Sequence, residues 1–334
     1  MELQSRRIEA RPRGPGLTGF IIRRCVQGLA VLVIVTIFIF VIMRIMPGDP
    51  ILTYMSRNEY AHANPAQIEA MRKEYGLDKP IPVQYVVWAW GALRGDLGES
   101  IFQGTTVTEE IRRAFPVTMY LSLLAFFVSQ LVGISAGVVS AIRRGSGLDT
   151  GISMLSNFLI AAPIFWFGVL LIYSFGLKLN WLPIGGYTSP FKDLGHSLQQ
   201  AIMPVFCLSL FPLAAALRQT RSSMLEVTRQ QYIRFAWAKG LNERTVVLKH
   251  ALKAGLIPVV TLAGMAVTGL LGGSVLIESV FNIPGMGRLA VQGALTQDYA
   301  IVQGVVLVST IIVLVANILV DISYAWLDPR VRDA

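Results

Sequence analysis

The chain alternates long apolar runs with polar connections, and the lengths of the runs decide its class. The first run follows Arg23 and Arg24 and reaches Met46. About 20 consecutive apolar residues suffice to cross a bilayer as a helix, so residues 19–46 read as a first membrane span. Five more spans are predicted: Val117 to Ile142, Ile152 to Leu177, Leu198 to Leu217, Leu256 to Val280 and Ile301 to Leu327. The pattern predicts an all-α membrane protein with six transmembrane helices. In the second span, Ser129, Gly133 and Gly137 form a small-xxx-small face that lets two helices approach closely. Gly264, Gly269, Gly272 and Gly273 in the fifth span mark either close packing, the favoured reading, or a flexible pathway lining.

The polar intervals carry their own signals. Residues 1–18 read as a disordered basic tail, because Arg11-Pro12-Arg13-Gly14-Pro15-Gly16 cannot form a helix. Residues 47–116 form a long region holding nine acidic and seven basic residues. Within it, Asn64, Pro65 and Gly76 bracket a helix over Ala66 to Tyr75. Val83 to Leu93 reads as an amphipathic helix with Trp88 and Trp90, suited to a membrane interface.

Residues 218–255 are the most informative interval. Tyr232, Ile233, Phe235, Trp237 and Leu241 are too apolar, and too spread around a helix, to be left in water. A helix of about ten residues is marginal alone and needs a partner surface. Gly240 ends it in the manner of a C′ glycine, and Asn242 is placed to cap a second helix over Glu243 to Ala254. The segment reads either as a helix lying on the membrane surface or as a plug for a groove on another protein.

The basic residues set the orientation. Residues 1–24, 143–150, 218–255 and 328–334 together hold 18 Lys and Arg with seven acids, whereas 47–116, 178–197 and 281–300 hold 10 with eleven acids. The positive-inside rule places the first set, and with it both termini and the 218–255 loop, in the cytoplasm. The 47–116 region is then extracytoplasmic. Composition agrees with membrane residence: 54% of residues are hydrophobic, 15% are charged, and mean hydropathy is +0.57. The net charge of +9 reflects topology and does not call for nucleic acid. Cys25 and Cys207 lie in or beside apolar segments and read as packing residues. A cleavable signal peptide is not expected, since the first apolar run is too long and lacks a small-residue cleavage site.

Chemistry-bearing motifs are sparse. No lysine follows a glycine and precedes Ser or Thr, so the chain carries no Walker A phosphate loop. A membrane-embedded enzyme is the rival class, but His62, His196 and His250 all fall in connections and neither HExxH nor paired intramembrane aspartates occur. Ionisable residues inside a span are candidate functional groups because they are costly there. Glu278 lies near the outer end of the fifth span, and Asp321 near the inner end of the sixth with Asn317 at i−4. Arg44, near the outer end of the first span, can snorkel to the headgroups or meet Glu278. The bland reading of both acids is a structural hydrogen bond or an interface position.

Several ordered motifs carry a family resemblance. Ala236-x-Ala238-Lys239-Gly240-Leu241, His250-Ala251-Leu252 and Ile257-Pro258-Val259-Val260 resemble the EAA loop of ABC importer permeases, in the variant of the dipeptide/oligopeptide/nickel group. Met46-Pro47-Gly48-Asp49-Pro50, Tyr75-Gly76-Leu77-Asp78-Lys79-Pro80, Gly95-Asp96-Leu97-Gly98, Thr220-Arg221-Ser222-Ser223-Met224-Leu225-Glu226-Val227, Pro284-Gly285-Met286-Gly287-Arg288 and Asp328-Pro329-Arg330 extend it from about Gly19 to the end. Arg234, Phe235 and Trp237 depart from the pattern, standing where smaller or more polar residues are expected. The resemblance implies the type I importer permease fold in a bacterial or archaeal cytoplasmic membrane. It also implies a heterodimer with a second homologous permease, two cytoplasmic ATPase subunits that hold ATP and Mg, and an extracytoplasmic solute-binding protein. Tyr232, Arg234, Phe235, Ala236, Ala238, Lys239, Gly240, Leu241 and Pro258 would then couple to an ATPase. The chain itself would need no cofactor or metal. The implied cargo is a di- or oligopeptide, with nickel, glutathione or an oligosaccharide as alternatives.

Overall fold

The computed structural model describes residues 17–57 and 65–327. Asn64, which was expected to cap a helix, lies outside the described residues, as do both terminal tails. Among the described residues the regular structure is helical apart from one isolated bridge between Glu99 and Thr106. Helix α1 (Leu17–Ile45) is followed by three shorter helices, α2 (Pro50–Arg57), α3 (Pro65–Glu74) and α4 (Ile81–Leu93). Then come α5 (Val107–Ile142), α6 (Gly147–Ala161), α7 (Ile164–Leu171) and α8 (Leu194–Val227). The loop helices are α9 (Gln231–Ala238), α10 (Glu243–Thr245) and α11 (Leu252–Gly255), the last two joined by a π-helical turn at Val246–Ala251. Helices α12 (Ile257–Val280), α13 (Met286–Thr296) and α14 (Tyr299–Leu327) complete the chain.

Two spans outgrow their predicted limits because capping chemistry starts them early. The Thr106 hydroxyl accepts from Glu109 N at 3.3 Å, and Glu109 and Glu110 place negative charge at the positive end of α5. Residues 107–116, read as part of the polar region, are therefore its first turns. Asp193 likewise accepts from His196 N at 3.0 Å and opens α8 before Leu198. At its other end α8 runs on to Val227 as one 34-residue helix containing Pro204 and Pro212.

The third predicted span is not straight. It breaks between α6 and α7 with a bend of 98°. The cause is local: Ala162 precedes Pro163, and the proline ring drives the preceding residue out of the helical region, here to φ −83 and ψ 137. Beyond the break, α7 passes into a π-helical stretch at Ile172–Lys178. The bent pair nevertheless crosses from one side to the other. Arg221 near the end of α8 pairs with Asp149 in the first turn of α6, so those two ends share a side. At the opposite end, Ser197 at the start of α8 bonds the Tyr120 hydroxyl in the first half of α5, and Gly186 N bonds Phe281 O at the end of α12. The 147–178 segment must therefore join the two sides, giving six crossings.

The same contacts define two faces. The ends of α1 and α12 and the starts of α5, α8 and α14 share one face with α2–α4 and α13. The ends of α5 and α8 share the other with α9–α11. Gly264 near the start of α12 packs on Val320 near the end of α14, so both described chain ends lie on the α9 face. One buried cluster (Leu121, Ala125, Met203, Cys207, Leu270, Phe281) fills the centre; another (Val138, Met224, Ile233, Val246, Ala251) roots the loop helices. Both cysteines are free thiols, and Cys207 is in the core.

Candidate functional site

Helix α9 is seated by two residues and presents the rest outward. Ile233 and Ala236, one turn apart, are buried against Val138, Ala141, Met224, Val246 and Ala251. Tyr232, Phe235, Trp237 and Leu241 are exposed, Phe235 to 66%. Arg234, Ala238 and Lys239 share that exposed side. Of the apolar residues expected to need a partner, Ile233 finds its partner within the chain and the other four do not. An exposed apolar patch rimmed by cations is the signature of a docking surface.

The turn after α9 has a defined geometry. Gly240 N donates to Trp237 O at 2.9 Å and Leu241 N to Ala236 O at 3.4 Å, the paired bonds of a Schellman motif. Gly240 takes φ +76, and a Cβ there would meet nothing within 4 Å. Its requirement for glycine is thus conformational and not steric. Asn242 then caps the next helix, its Oδ1 accepting from Thr245 N at 2.9 Å. Pro258 lies in the first turn of α12, half-buried, and does not join the exposed patch of α9.

The α9 base is tied to the longest helices. Asp149 is buried and accepts from Arg221 Nε at 2.7 Å, Arg221 Nη2 at 2.9 Å, Gly145 N at 3.0 Å and the Ser140 hydroxyl. One carboxylate thereby holds the ends of α5 and α8 to the start of α6. Higher up the same seam, Gly133 and Gly137 lie against Leu213 O and Leu217 O, where a Cβ would come within 2.6 and 2.7 Å. The small-residue face predicted in the second span is thus a backbone-to-backbone contact with α8. Asp149 was not singled out in the sequence. Its only sequence signal is its position three residues after Ser146, which caps α6 through Asp149 N.

The intramembrane candidates separate. Glu278 is fully buried: its Oε1 accepts from the Thr118 hydroxyl at 2.7 Å and its Oε2 from Arg288 N at 3.0 Å. Thr118 in turn accepts from Met286 N at 2.8 Å. The carboxylate sits directly beneath Gly285, where any Cβ would overlap it. Glu278 therefore anchors the Pro284–Arg288 turn to α5 and α12. The anticipated meeting of Arg44 with Glu278 does not occur. Arg44 bonds Gln84 Oε1 at 2.8 Å and Phe40 O at 3.2 Å and stacks over Phe40 instead. Asn317 is exposed on α14, and the Asp321 side chain lies outside the described residues.

The glycines of α12 divide likewise. Gly264 packs on Val320 as expected, but a Cβ at Gly269 or Gly272 would meet nothing within 4 Å. Packing therefore does not explain those two. Gly269 and Gly273 border an apolar chamber of about 620 Å³ between the bent pair, α8 and α12; Gly272 borders one of about 470 Å³ toward α14. Among the described residues no group of His, Cys, Asp or Glu could hold a metal ion.

Relatives give these parts a context. Residues 133–333 match the family described as binding-protein-dependent transport system inner membrane component, and 17–122 match its N-terminal counterpart. A relative in Brucella abortus (strain 2308), named as a peptide transport system permease protein, is 41% identical over 95% of this chain and 99% of its own length. The oligopeptide transport system permease protein AppB of Bacillus subtilis (strain 168) is 37% identical over 95% and 100%. In fold, the chain is similar to a chain of the MetNI methionine ABC transporter in an inward-facing conformation. That likeness has a TM-score of 0.52 at 19% identity and covers 65% of this chain and 96% of the other. With residues 133–333 and 17–122 matched by the family's two models, the chain belongs to the family of binding-protein-dependent transport system inner membrane components.

Proposed function

We propose that this chain is the membrane-spanning permease subunit of an ATP-driven importer of di- or oligopeptides. The observation that carries the proposal is α9, an apolar helix presented outward at the end of the α5–α8 pair. In this reading α9 seats in a groove of a cytoplasmic ATPase, which holds ATP and Mg. The α9 face is then cytoplasmic, as the excess of Lys and Arg in its connections supports. A second, homologous permease completes the pathway as a heterodimer, and an extracytoplasmic solute-binding protein delivers cargo to the α2–α4 and α13 face. ATP-driven closure can move the spans only through contacts that differ between two states. The open space beside Gly269 and Gly272 lets α12 shift without backbone collision. Peptide or oligopeptide transport is named for relatives that are 41% and 37% identical over 95% of this chain.

The test is genetic. A peptide-requiring auxotroph lacking this gene should lose growth on di- to pentapeptides and recover it with the gene, while nickel uptake stays unchanged. Loss of nickel uptake with normal peptide growth would move the cargo to the nickel branch. Vigorous ATP hydrolysis by the isolated chain would overturn the subunit assignment.

A further inference from the structure

A cavity of about 250 Å³ lies between the outer ends of α1, α4 and α14, away from α9 and from the chambers beside α12. The transport reading makes no use of it. Its lining is polar in an unusual way. Gln303 on α14 is 2% exposed, yet its Nε2 has no hydrogen-bond partner. Trp88 on α4 has a buried Nε1, also without a partner. Buried donors are rarely left unpaired, so two on one cavity point to an absent acceptor. Arg44 enters from α1, oriented by Gln84 and by the Phe40 ring 3.4 Å from its Cζ. Among the described residues it forms no salt bridge. Lys79 at the rim adds a second cation.

Asp96 and Glu99 also line the space, from the segment that crosses the start of α14. A simple anion would be repelled by them, and a simple cation by Arg44 and Lys79. The complement of such a wall is a zwitterion with an oxyanion at one end and an ammonium at the other. Position supplies the source. The cavity is lined by Val87, which is 57% exposed, and Val86, Trp90 and Leu93 continue an exposed apolar face along α4. Arg94 lies over the Trp90 ring, the pairing of aromatic and cation found where a membrane meets water. On α1, exposed Ile34, Ile37, Phe38 and Val41 lead from the same site into the apolar layer. The volume equals about eight water molecules, room for a headgroup but not for an oligopeptide.

We propose that this cavity binds the headgroup of a zwitterionic phospholipid bearing a primary ammonium. The phosphate faces Arg44, Trp88 Nε1 and Gln303 Nε2 in charge-assisted and neutral hydrogen bonds. The ammonium faces Asp96 and Glu99, and the acyl chains lie along α1 and α4. The proposal is independent of the transported cargo.

Native mass spectrometry of the full chain, purified in mild detergent with the subunits it assembles with, tests it. Added phosphatidylethanolamine should be retained about tenfold more than phosphatidylcholine, whose quaternary ammonium has no N–H to donate. It should likewise exceed phosphatidylglycerol, which has no ammonium. Trp88→Phe, which keeps the ring and removes the donor, and Gln303→Leu should each cut retention several-fold. Glu99→Gln should move the preference toward phosphatidylglycerol. Equal retention of all three lipids, or undiminished retention in both donor variants, overturns the site. Thermal stabilisation of delipidated protein by glycylglycine but not by phosphatidylethanolamine also overturns it, in favour of a soluble zwitterion.

Discussion

Arg221 grips Asp149 with two parallel hydrogen bonds, at 2.7 and 2.9 Å, and so fixes the end of α8 to the start of α6. The aspartate side chain is almost fully buried and the arginine about one-third exposed. Removing one partner of such a pair leaves the other charge poorly solvated and destabilises the junction. Asp149→Ala should therefore lower the thermal midpoint of the purified protein by several degrees. Arg221→Lys, with Asp149 intact, should lower it by less, because an ammonium keeps the charge but cannot bridge both oxygens. Unchanged midpoints in both variants would show that the clasp carries no stability.

Gly240 offers a cleaner separation of backbone from contact. A Cβ at this position meets no neighbour, so only its φ of +76 penalises substitution. Gly240→Val should cost on the order of 1–3 kcal/mol locally and re-aim α9. Insertion should be normal, whereas transport and stimulation of the partner ATPase by loaded binding protein should fall together. Gly240→Asn should retain most function, since Asn tolerates the left-handed region. If the Val variant transports as well as wild type, α9 is not the coupling element.

Glu278 and Gly285 should act as one unit. In Glu278→Gln one carboxylate oxygen becomes an NH2 group; toward Arg288 N it would meet a donor, and toward Thr118 it reverses the hydroxyl bond, so a charge-assisted acceptor is lost at a cost of about 1–3 kcal/mol. Gly285→Ala places a methyl on the carboxylate itself. Each single variant should speed proteolysis of the Pro284–Arg288 turn. The double variant should add little to either, and simple additivity would argue against a shared site.

Asp298 links pH to the start of α14. It accepts from the Ser100 hydroxyl and from Ile301 N at the start of α14, and burial holds its carboxyl above the ordinary aspartate range. A raised folded-state pKa contributes stability that is complete below the unfolded value, about 3.9, and is lost as pH rises through the folded value. Thermal midpoints should thus carry a component that declines upward from about pH 4. Asp298→Asn should flatten that component while keeping the cap. An identical pH profile in the variant would remove Asp298 as its source.

With the α9 face cytoplasmic, as proposed, six crossings fix the side of every other connection. Reporter fusions after Ser100 and after Gly186 should read the extracytoplasmic side, and fusions after Asn242 the cytoplasmic side. A cytoplasmic signal at Gly186 would mean that the bent pair re-enters instead of crossing.

What the sequence made legible was local. The apolar runs, the Gly240 stop, the Asn242 cap and the Gly133/Gly137 face each depend on residues within a few turns of one another, and each appears in the structure. The break at Ala162-Pro163 had a local signal, a proline within the run from Ile152 to Leu177, which the reading of that run as one span did not use. Pairings over long separations were not legible. Asp149 meets Arg221 after 72 residues and Thr118 meets Glu278 after 160, and nothing in either local pattern names its partner. Arg44 shows the same limit in reverse: a charge at the right depth suggested Glu278, whereas helix packing delivered it to Gln84. The α12 glycines read alike in sequence because what distinguishes Gly264 from Gly269 is the neighbour each faces.

The seam between α5 and α8 has a mechanical consequence. At Gly133 and Gly137 these helices touch through backbone, with no long side chain between them to change rotamer and absorb a push. Helix α8 alone has 34 residues, so the pair is a strut about 50 Å long at 1.5 Å per residue. A tilt of about 10° about its middle carries each tip through about 4 Å at that length. Because Ile233 and Ala236 root α9 on one tip, a shove on α9 arrives at the far tip, beside Tyr120 and Ser197, as rotation with its amplitude preserved.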